Sequence, residues 1–253
     1  MKPRLDKLLV ERGLAPDQKA AGALVMAGRV RVNGRPAGKP GDAVHPQVPL
    51  EVIGGDHPFV SRGGVKLEAA LDRFGLDVTG LTAMDIGAST GGFTHCLLLR
   101  GASRVIAVDV GYGQLAWELR QDPRVVVMER TNFRHLAPQA LAAPVDLMVM
   151  DLSFISLSAV LPHAARFLTL GGRLLALVKP QFEAPREQVE SGGRVVDPGV
   201  HAQVLDRVSQ AARLAGFATL GLMESPVKGK KSRNREFLLL LEREATPTPA
   251  QHS

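Results

Sequence analysis

Between residues 83 and 178 the chain alternates short, almost wholly apolar runs with segments in which apolar positions recur at helical spacing. The runs fall at 83–86, 105–110, 125–128, 147–150 and 174–178, and such continuous runs predict strands of a parallel sheet covered on both faces. A helical pattern at 197–216 precedes two further strand patterns at 219–224 and 237–241. The prediction is a doubly wound, Rossmann-like α/β domain with a mostly parallel sheet of about seven strands.

The first 57 residues read differently. Leu5, Leu8 and Leu9, then Ala20, Ala23 and Leu24, recur at helical spacing on either side of Gly13 and Pro16, which predicts two short amphipathic helices within 4–27. Beyond Gly28, valines alternate with arginines up to Asn33–Gly34, a two-residue hairpin signal. Residues 54–58 break every periodicity with glycines, an aspartate and a proline and read as a linker. The predicted domains are therefore a small α+β domain at 1–57 and the α/β domain at 58–244, with a disordered tail at 245–253. The apolar stretch at 145–161 is broken by Asp146 and Asp151 and predicts a buried strand and a helix, with no membrane span.

Composition narrows the class. With 253 residues, 45% hydrophobic and 22% charged, the chain is in the globular range, and a net charge of +6 favours polyanionic partners. The first residues mix charges of both signs among leucines, unlike a secretory leader, so a cytoplasmic location is expected. The single cysteine, Cys96, reads as a small buried hydrophobe. With His95, His135, His163 and His201 scattered, no metal site is expected, and these histidines read as surface or helix-end residues. Tyr112 and Trp117 read as packing residues, and Glu183, Glu187 and Glu190 as a solvated acidic face.

Two features point to a nucleoside cofactor. The first predicted strand ends at Asp85–Ile86 and passes through Gly87, Ala88, Ser89, Thr90, Gly91 and Gly92 into a helix that begins with Phe93. Glycines here let backbone approach a ligand at a helix N-terminus, although the spacing departs from the dinucleotide fingerprint. About 20 residues on, Asp109 ends the next strand, where a carboxylate accepts hydrogen bonds from ribose hydroxyls. The identity of the nucleoside is open on these residues alone.

Four charged residues stand where strands end or a helix begins: Lys66, Asp151, Lys179 and Glu236. Ligands of open α/β sheets bind at such ends. Asp151 and Lys179 each close an apolar run, where an unpaired charge is costly, so each is expected to have a partner or a substrate.

In order along the chain, the segments RLDKLLVERGL, GRVRVNG, VSRGGVKLEAAL, DIGASTGGFT, TNFR, DLSFISL, LVKPQFE, GGRVVDPGVH and SPVKGKKSRNREF resemble the TlyA family of rRNA ribose 2'-O-methyltransferases, whose catalytic fold is that of the FtsJ-like enzymes. The resemblance covers nearly the whole chain. It implies a class I methyltransferase domain behind an S-four-type RNA-binding domain, with S-adenosyl-L-methionine as cofactor. It places the family's Lys-Asp-Lys-Glu tetrad on Lys66, Asp151, Lys179 and Glu236. It assigns the cofactor to Asp85, the loop from Gly87 to Phe93, Asp109, Val110 and Asp151, with Asn132 and Phe133 near the adenine. Asp56, His57, Pro58, Phe59 and Val60 stand where the family carries an Arg-any-Trp-Val linker, so the chemistry is carried over and the family's linker coupling is not.

On this reading Lys179 either stabilises the developing alkoxide of a ribose hydroxyl or takes its proton. Asp151 orients Lys179 and faces the sulfonium, while Glu236 and Lys66 fix the acceptor ribose. The RNA ligands expected are Arg4, Lys7, Arg29, Arg31, Arg35 and Lys39 in the first domain, then Arg62, and Lys228, Lys230, Lys231 and Arg233 just before Glu236. The expected partner is ribosomal RNA within ribosomal subunits, acted on by a monomer, with cytidine ribose as acceptor. A non-enzymatic ribosome assembly factor with a methyltransferase-like fold is the alternative. A nicotinamide oxidoreductase is disfavoured by the glycine spacing, and membrane lysis by the lack of any spanning or pore-forming helix pattern.

Overall fold

The computed structural model describes residues 2–26, 28–52, 57–229 and 233–244. The tail at 245–253, most of the linker, and Lys230 and Lys231 lie outside the described residues. The chain divides into two compact units, Met1–Pro58 and Phe59–Ser253.

In the first unit, helices α1 (Leu5–Glu11) and α2 (Gln18–Met26) pack on a three-stranded antiparallel sheet of β1 (Val30–Val32), β2 (Arg35–Pro36) and β3 (Leu50–Val52), in the order β2-β1-β3. Leu5, Leu9, Ala21, Val25 and Val30 form the core. Asn33 and Gly34 both take positive φ, 52° and 74°, as a tight turn with right-handed twist demands. The third strand has no counterpart in the sequence reading: three residues behind Pro49 carry too little pattern. Asp6 is buried and accepts hydrogen bonds from Arg4 Nη2 at 2.6 Å and the Lys7 N–H at 2.8 Å. The Arg4 guanidinium holds its carboxyl below the usual range. Arg4, expected to grip RNA, is thus already engaged by Asp6.

The second unit runs α3 (Gly63–Phe74), β4 (Thr82–Ile86), α4 (Gly92–Leu99), β5 (Arg104–Val108), α5 (Trp117–Gln121), β6 (Val125–Met128), β7 (Val145–Met150), α6 (Leu161–Ala164), β8 (Leu168–Val178), α7 (Pro180–Glu183), α8 (Pro198–Leu214), β9 (Phe217–Glu224) and β10 (Phe237–Arg243). Its seven-stranded sheet has the order β6-β5-β4-β7-β8-β10-β9. Strands β4 to β8 are mutually parallel where they pair, and β10 runs antiparallel to both β8 and β9. Successive strand residues point their side chains to opposite faces. Met84, Ile86, Met148 and Met150 meet Val200, Val204 and Val208 of α8 on one face, while Ala83, Leu147 and Val149 meet Leu67 and Leu71 of α3 and Leu97 of α4 on the other.

Some bounds differ from the sequence reading. Strand β8 begins six residues earlier than residue 174 and passes through Gly171–Gly172, where the apolar run breaks and the register against β7 shifts. Strand β5 stops at Val108, leaving Asp109 and Val110 beyond it. The order reverses between β4, whose chain continues to β5 on one side, and β7 on the other. This switch point opens a crevice at the carboxyl ends of the strands.

Candidate active site

Loops leaving the carboxyl ends of the strands line the crevice. After β4, Gly87 has φ +83°, and a Cβ there would lie 2.8 Å from the Asp151 carbonyl oxygen. Glycine is required because the loop abuts the end of β7. A Cβ on Gly92 would meet Ser61 Oγ at 2.2 Å and the Gly64 nitrogen at 3.0 Å, where the start of α4 touches the start of α3. These glycines thus serve close approach within the protein, a use the sequence reading had given only to ligand.

After β5, Asp109 accepts hydrogen bonds from the Ser89 N–H at 2.8 Å and the Gly111 N–H at 2.7 Å, one on each carboxylate oxygen. Beside it Val110 and Tyr112 are 70% and 68% exposed, and Trp117 is 62% exposed. Tyr112 and Trp117 are therefore not core packing residues. After β6, Asn132 Oδ1 accepts from the Arg134 N–H at 3.1 Å and caps the short 3-10 turn Phe133–His135. The Phe133 ring is buried against His163 and Phe167, centroids 5.1 Å apart in both cases, and Phe93 is also buried.

Asp85, fully buried in β4, accepts from the N–H and hydroxyl of Thr94 at 2.9 and 2.7 Å on Oδ2, while Oδ1 has no hydrogen-bond partner. Burial pushes its carboxyl up to about 7 against the pull of the Thr94 hydrogen bonds, with Asp151 adding negative charge nearby.

The four charged residues meet at one end of the sheet. Lys179 Nζ lies 2.5 Å from Asp151 Oδ1 and donates to Ser153 Oγ at 2.9 Å. Lys66 Nζ donates to Glu236 Oε2 at 2.6 Å, and both side chains are buried. The antiparallel register that pairs Phe237 with Val178 brings Glu236, just before β10, and Lys179, just after β8, to the same end of the sheet. A Cβ on Gly229 would come 2.8 Å from Glu236 Oε1, so the backbone at Gly229 lies directly against the site.

Several residues around the site were misread or missed in the sequence. Ser153 carries no pattern of its own. Phe154, 88% exposed with φ +67°, stands 5.0 Å from the Phe182 ring; a bulky residue held in the left-handed region marks a constraint that periodicity cannot reveal. Glu183 is buried rather than solvated, accepting from Ser156 Oγ at 2.6 Å and the Leu157 N–H at 2.7 Å. His201 is likewise buried, with Nε2 2.9 Å from the Val195 carbonyl oxygen. Of the expected RNA ligands, Lys7, Arg31, Arg35, Lys39, Arg62, Lys228 and Arg233 are exposed or partly so, while Arg29 is half-buried. Arg31 turns back onto the Gly34 carbonyl at 3.1 Å. Among the described residues no cluster of metal-ligating side chains occurs, and no helix is long and apolar enough to cross a membrane.

Comparison with known proteins matches residues 59–243 to the FtsJ-like methyltransferase family and residues 3–48 to the S4 domain. The 16S/23S rRNA (cytidine-2'-O)-methyltransferase TlyA of Mycobacterium tuberculosis is 48% identical over 239 residues, which span 94% of this chain and 89% of that protein. Hemolysin A of Brachyspira hyodysenteriae is 36% identical, covering 93% of this chain and 98% of its own. A solved structure of a candidate hemolysin from Streptococcus thermophilus superposes with a TM-score of 0.77 at 44% identity, over 99% of this chain and 91% of that one. The chain belongs to the FtsJ-like methyltransferases and, within them, to the TlyA family, in which an S4 domain precedes the methyltransferase domain.

Proposed function

We propose that this protein transfers a methyl group from S-adenosylmethionine to ribose 2'-hydroxyls of ribosomal RNA, with cytidine as the target nucleotide. The observation that carries the reading is Lys179, held by Asp151 and Ser153 at the end of the sheet beside the buried Lys66–Glu236 pair. Two lysines against two carboxylates make the cluster neutral, able to receive developing negative charge. A lysine ammonium has three donors; Ser153 Oγ takes one, and Asp151 Oδ1 stands in ion-pair contact without hydrogen-bond geometry, which leaves donor capacity for the acceptor oxygen. As an ammonium, Lys179 stabilises an alkoxide; as an amine, it takes the hydroxyl proton.

The residues at the β4 and β5 ends fit the cofactor. Buried Asp85 Oδ1 lacks a partner and suits an ammonium or hydroxyl donor, Asp109 keeps lone pairs beyond its two backbone donors, and exposed Val110 and Tyr112 offer apolar cover for a base. Bound S-adenosylmethionine supplies a methyl group activated on a sulfonium. The likeness to relatives named for cytidine-2'-O methylation supports the acceptor.

The reading is tested by incubating the chain with labelled S-adenosylmethionine and purified small and large ribosomal subunits. Label in ribose 2'-O positions is the expected result. Cofactor binding with no label in any ribosomal RNA would favour the assembly-factor alternative.

Asp85 ties both stability and cofactor affinity to pH. A carboxyl held up to about 7 favours folding most below its unfolded value, and that contribution is lost as pH rises towards 7. Asp85→Asn is therefore expected to melt above the wild type at pH 8, by about 2–4 °C for each kcal/mol gained, with the gap closing towards pH 4. Its affinity for S-adenosylmethionine is expected to fall, and wild-type affinity to rise with pH through neutrality. Calorimetry at pH 4, 6 and 8 with and without cofactor checks both; a variant that binds cofactor normally would remove Asp85 from the site.

Phe154 ties stability to RNA affinity. Holding it at φ +67° stores about 1–3 kcal/mol, and an exposed ring beside Phe182 is suited to stack on an RNA base. Phe154→Gly is expected to raise the Tm and, through loss of about 1–3 kcal/mol of stacking, raise KM for RNA at least about fivefold. A lower Tm with unchanged KM would show the ring to be structural.

A further inference from the structure

The loop at 151–157 carries everything that touches Lys179 from the β7 side, yet its geometry is not one the chain adopts by default. It leaves β7 at Asp151, passes through Ser153, turns at Phe154 with φ +67°, and re-enters regular structure only at the 3-10 turn Leu157–Ala159. A loop with a non-glycine residue in the left-handed region stays in place only where its surroundings over-determine it.

The restraint comes from the helix that follows the neighbouring strand β8. Glu183 closes α7, four residues beyond Lys179, and its buried carboxylate spans the far end of the loop. Oε2 accepts from the Ser156 hydroxyl at 2.6 Å and Oε1 from the Leu157 N–H at 2.7 Å. Arg207 of α8 braces the same residue by donating to the Glu183 carbonyl at 3.0 Å. Burial pushes the Glu183 carboxyl up, while these two donors and the Arg207 charge oppose that shift. Phe182, adjacent in sequence, meets Phe154 at 5.0 Å, so the loop is tied to the Lys179 segment twice.

We propose that Glu183 is a positioning residue for methyl transfer: its carboxylate straps loop 151–157 to the strand end bearing Lys179, and so sets the place of Asp151, Ser153 and Phe154 relative to the ammonium. Glu183 touches none of the reacting atoms. It acts through the loop: one oxygen must accept from the Leu157 N–H, and the negative carboxylate strengthens the short bond from the Ser156 hydroxyl. The proposal rests on the methyltransferase reading above and names a further residue in that site.

The test is Glu183→Gln, which keeps the shape and the acceptor for the Leu157 N–H but replaces the charge-assisted bond from the Ser156 hydroxyl by a weaker neutral one of reversed direction. Displacement of a reacting group by about 1 Å can lower a rate by about 10²-fold, so kcat on ribosomal subunits is expected to fall by about 10- to 100-fold. Affinity for S-adenosylmethionine, set at the β4 and β5 ends, should stay near wild type. In the same variant, amide exchange at 152–157 should speed up while that of β4 and β7 does not. Ser156→Ala, which removes the donor to Glu183 together with the cap that Ser156 Oγ gives the Ser158 N–H, should show the same pattern and add little to Glu183→Gln, as expected of residues sharing one contact. Equal kcat in wild type and Glu183→Gln, unchanged loop exchange, or a parallel loss of cofactor affinity would each overturn the role given to Glu183. A wild-type protein inactive on every RNA, with normal cofactor binding, would instead overturn the methyltransferase reading, and the positioning role with it.

Discussion

Lys179→Ala is expected to lower methyl transfer by about 10³-fold or more, because it removes both a donor aimed at developing negative charge and a candidate proton acceptor. Cofactor and RNA affinities should change little: the residues placed at the β4 and β5 ends and on the basic surfaces do not contact Lys179. Stability should fall: the Asp151 side chain left behind is 25% exposed, but Oδ1, the oxygen that faces Lys179, is buried and loses its counter-charge. Lys179→Arg then separates the two roles. A guanidinium keeps the charge but cannot give up its proton, so partial activity in this variant would assign Lys179 to charge stabilisation and none to proton transfer. The measurement is single-turnover transfer of labelled methyl with cofactor affinity determined in parallel. A Lys179→Ala enzyme turning over at the wild-type rate would remove Lys179 from the chemistry.

What the sequence made legible was whatever leaves a period or a strand end. Asp151 and Lys179 could be picked out because each is a charge closing an apolar run, and the expectation that each would need a partner is met by their own contact of 2.5 Å. The pairing of Lys66 with Glu236 was not legible, since the two lie 170 positions apart and only the antiparallel insertion of β10 beside β8 brings them together. Loop geometry was less legible still. Phe154 is one aromatic among apolar neighbours in the sequence, and its exposure and positive φ come from tertiary restraint. Glu183 looked like part of an acidic face because it shares a stretch with Glu187 and Glu190, but α7 ends at that residue and the helical spacing that made a face of them does not exist.

The buried pair carries the largest expected effect on stability. Lys66 and Glu236 are 8% and 3% exposed and 2.6 Å apart, so neither charge is hydrated and each depends on the other. Lys66→Met leaves the carboxylate of Glu236 stranded, which should cost about 3–5 kcal/mol and lower the Tm by roughly 6–20 °C at about 2–4 °C per kcal/mol. Glu236→Leu should do the same to the ammonium. The double variant Lys66→Met/Glu236→Leu removes both charges and should recover most of the loss, because a buried ion pair replaced by apolar groups of similar volume is often neutral or stabilising. If the pair serves only to hold α3 to β10, the double variant should also recover activity. On the catalytic role proposed for the tetrad it should not, since the neutral balance around Lys179 and the donor and acceptor offered to the ribose are gone. A stable, inactive double variant would separate function from folding at this pair. A stable double variant that methylates normally would reduce Lys66 and Glu236 to structure and leave Asp151 and Lys179 as the whole catalytic set.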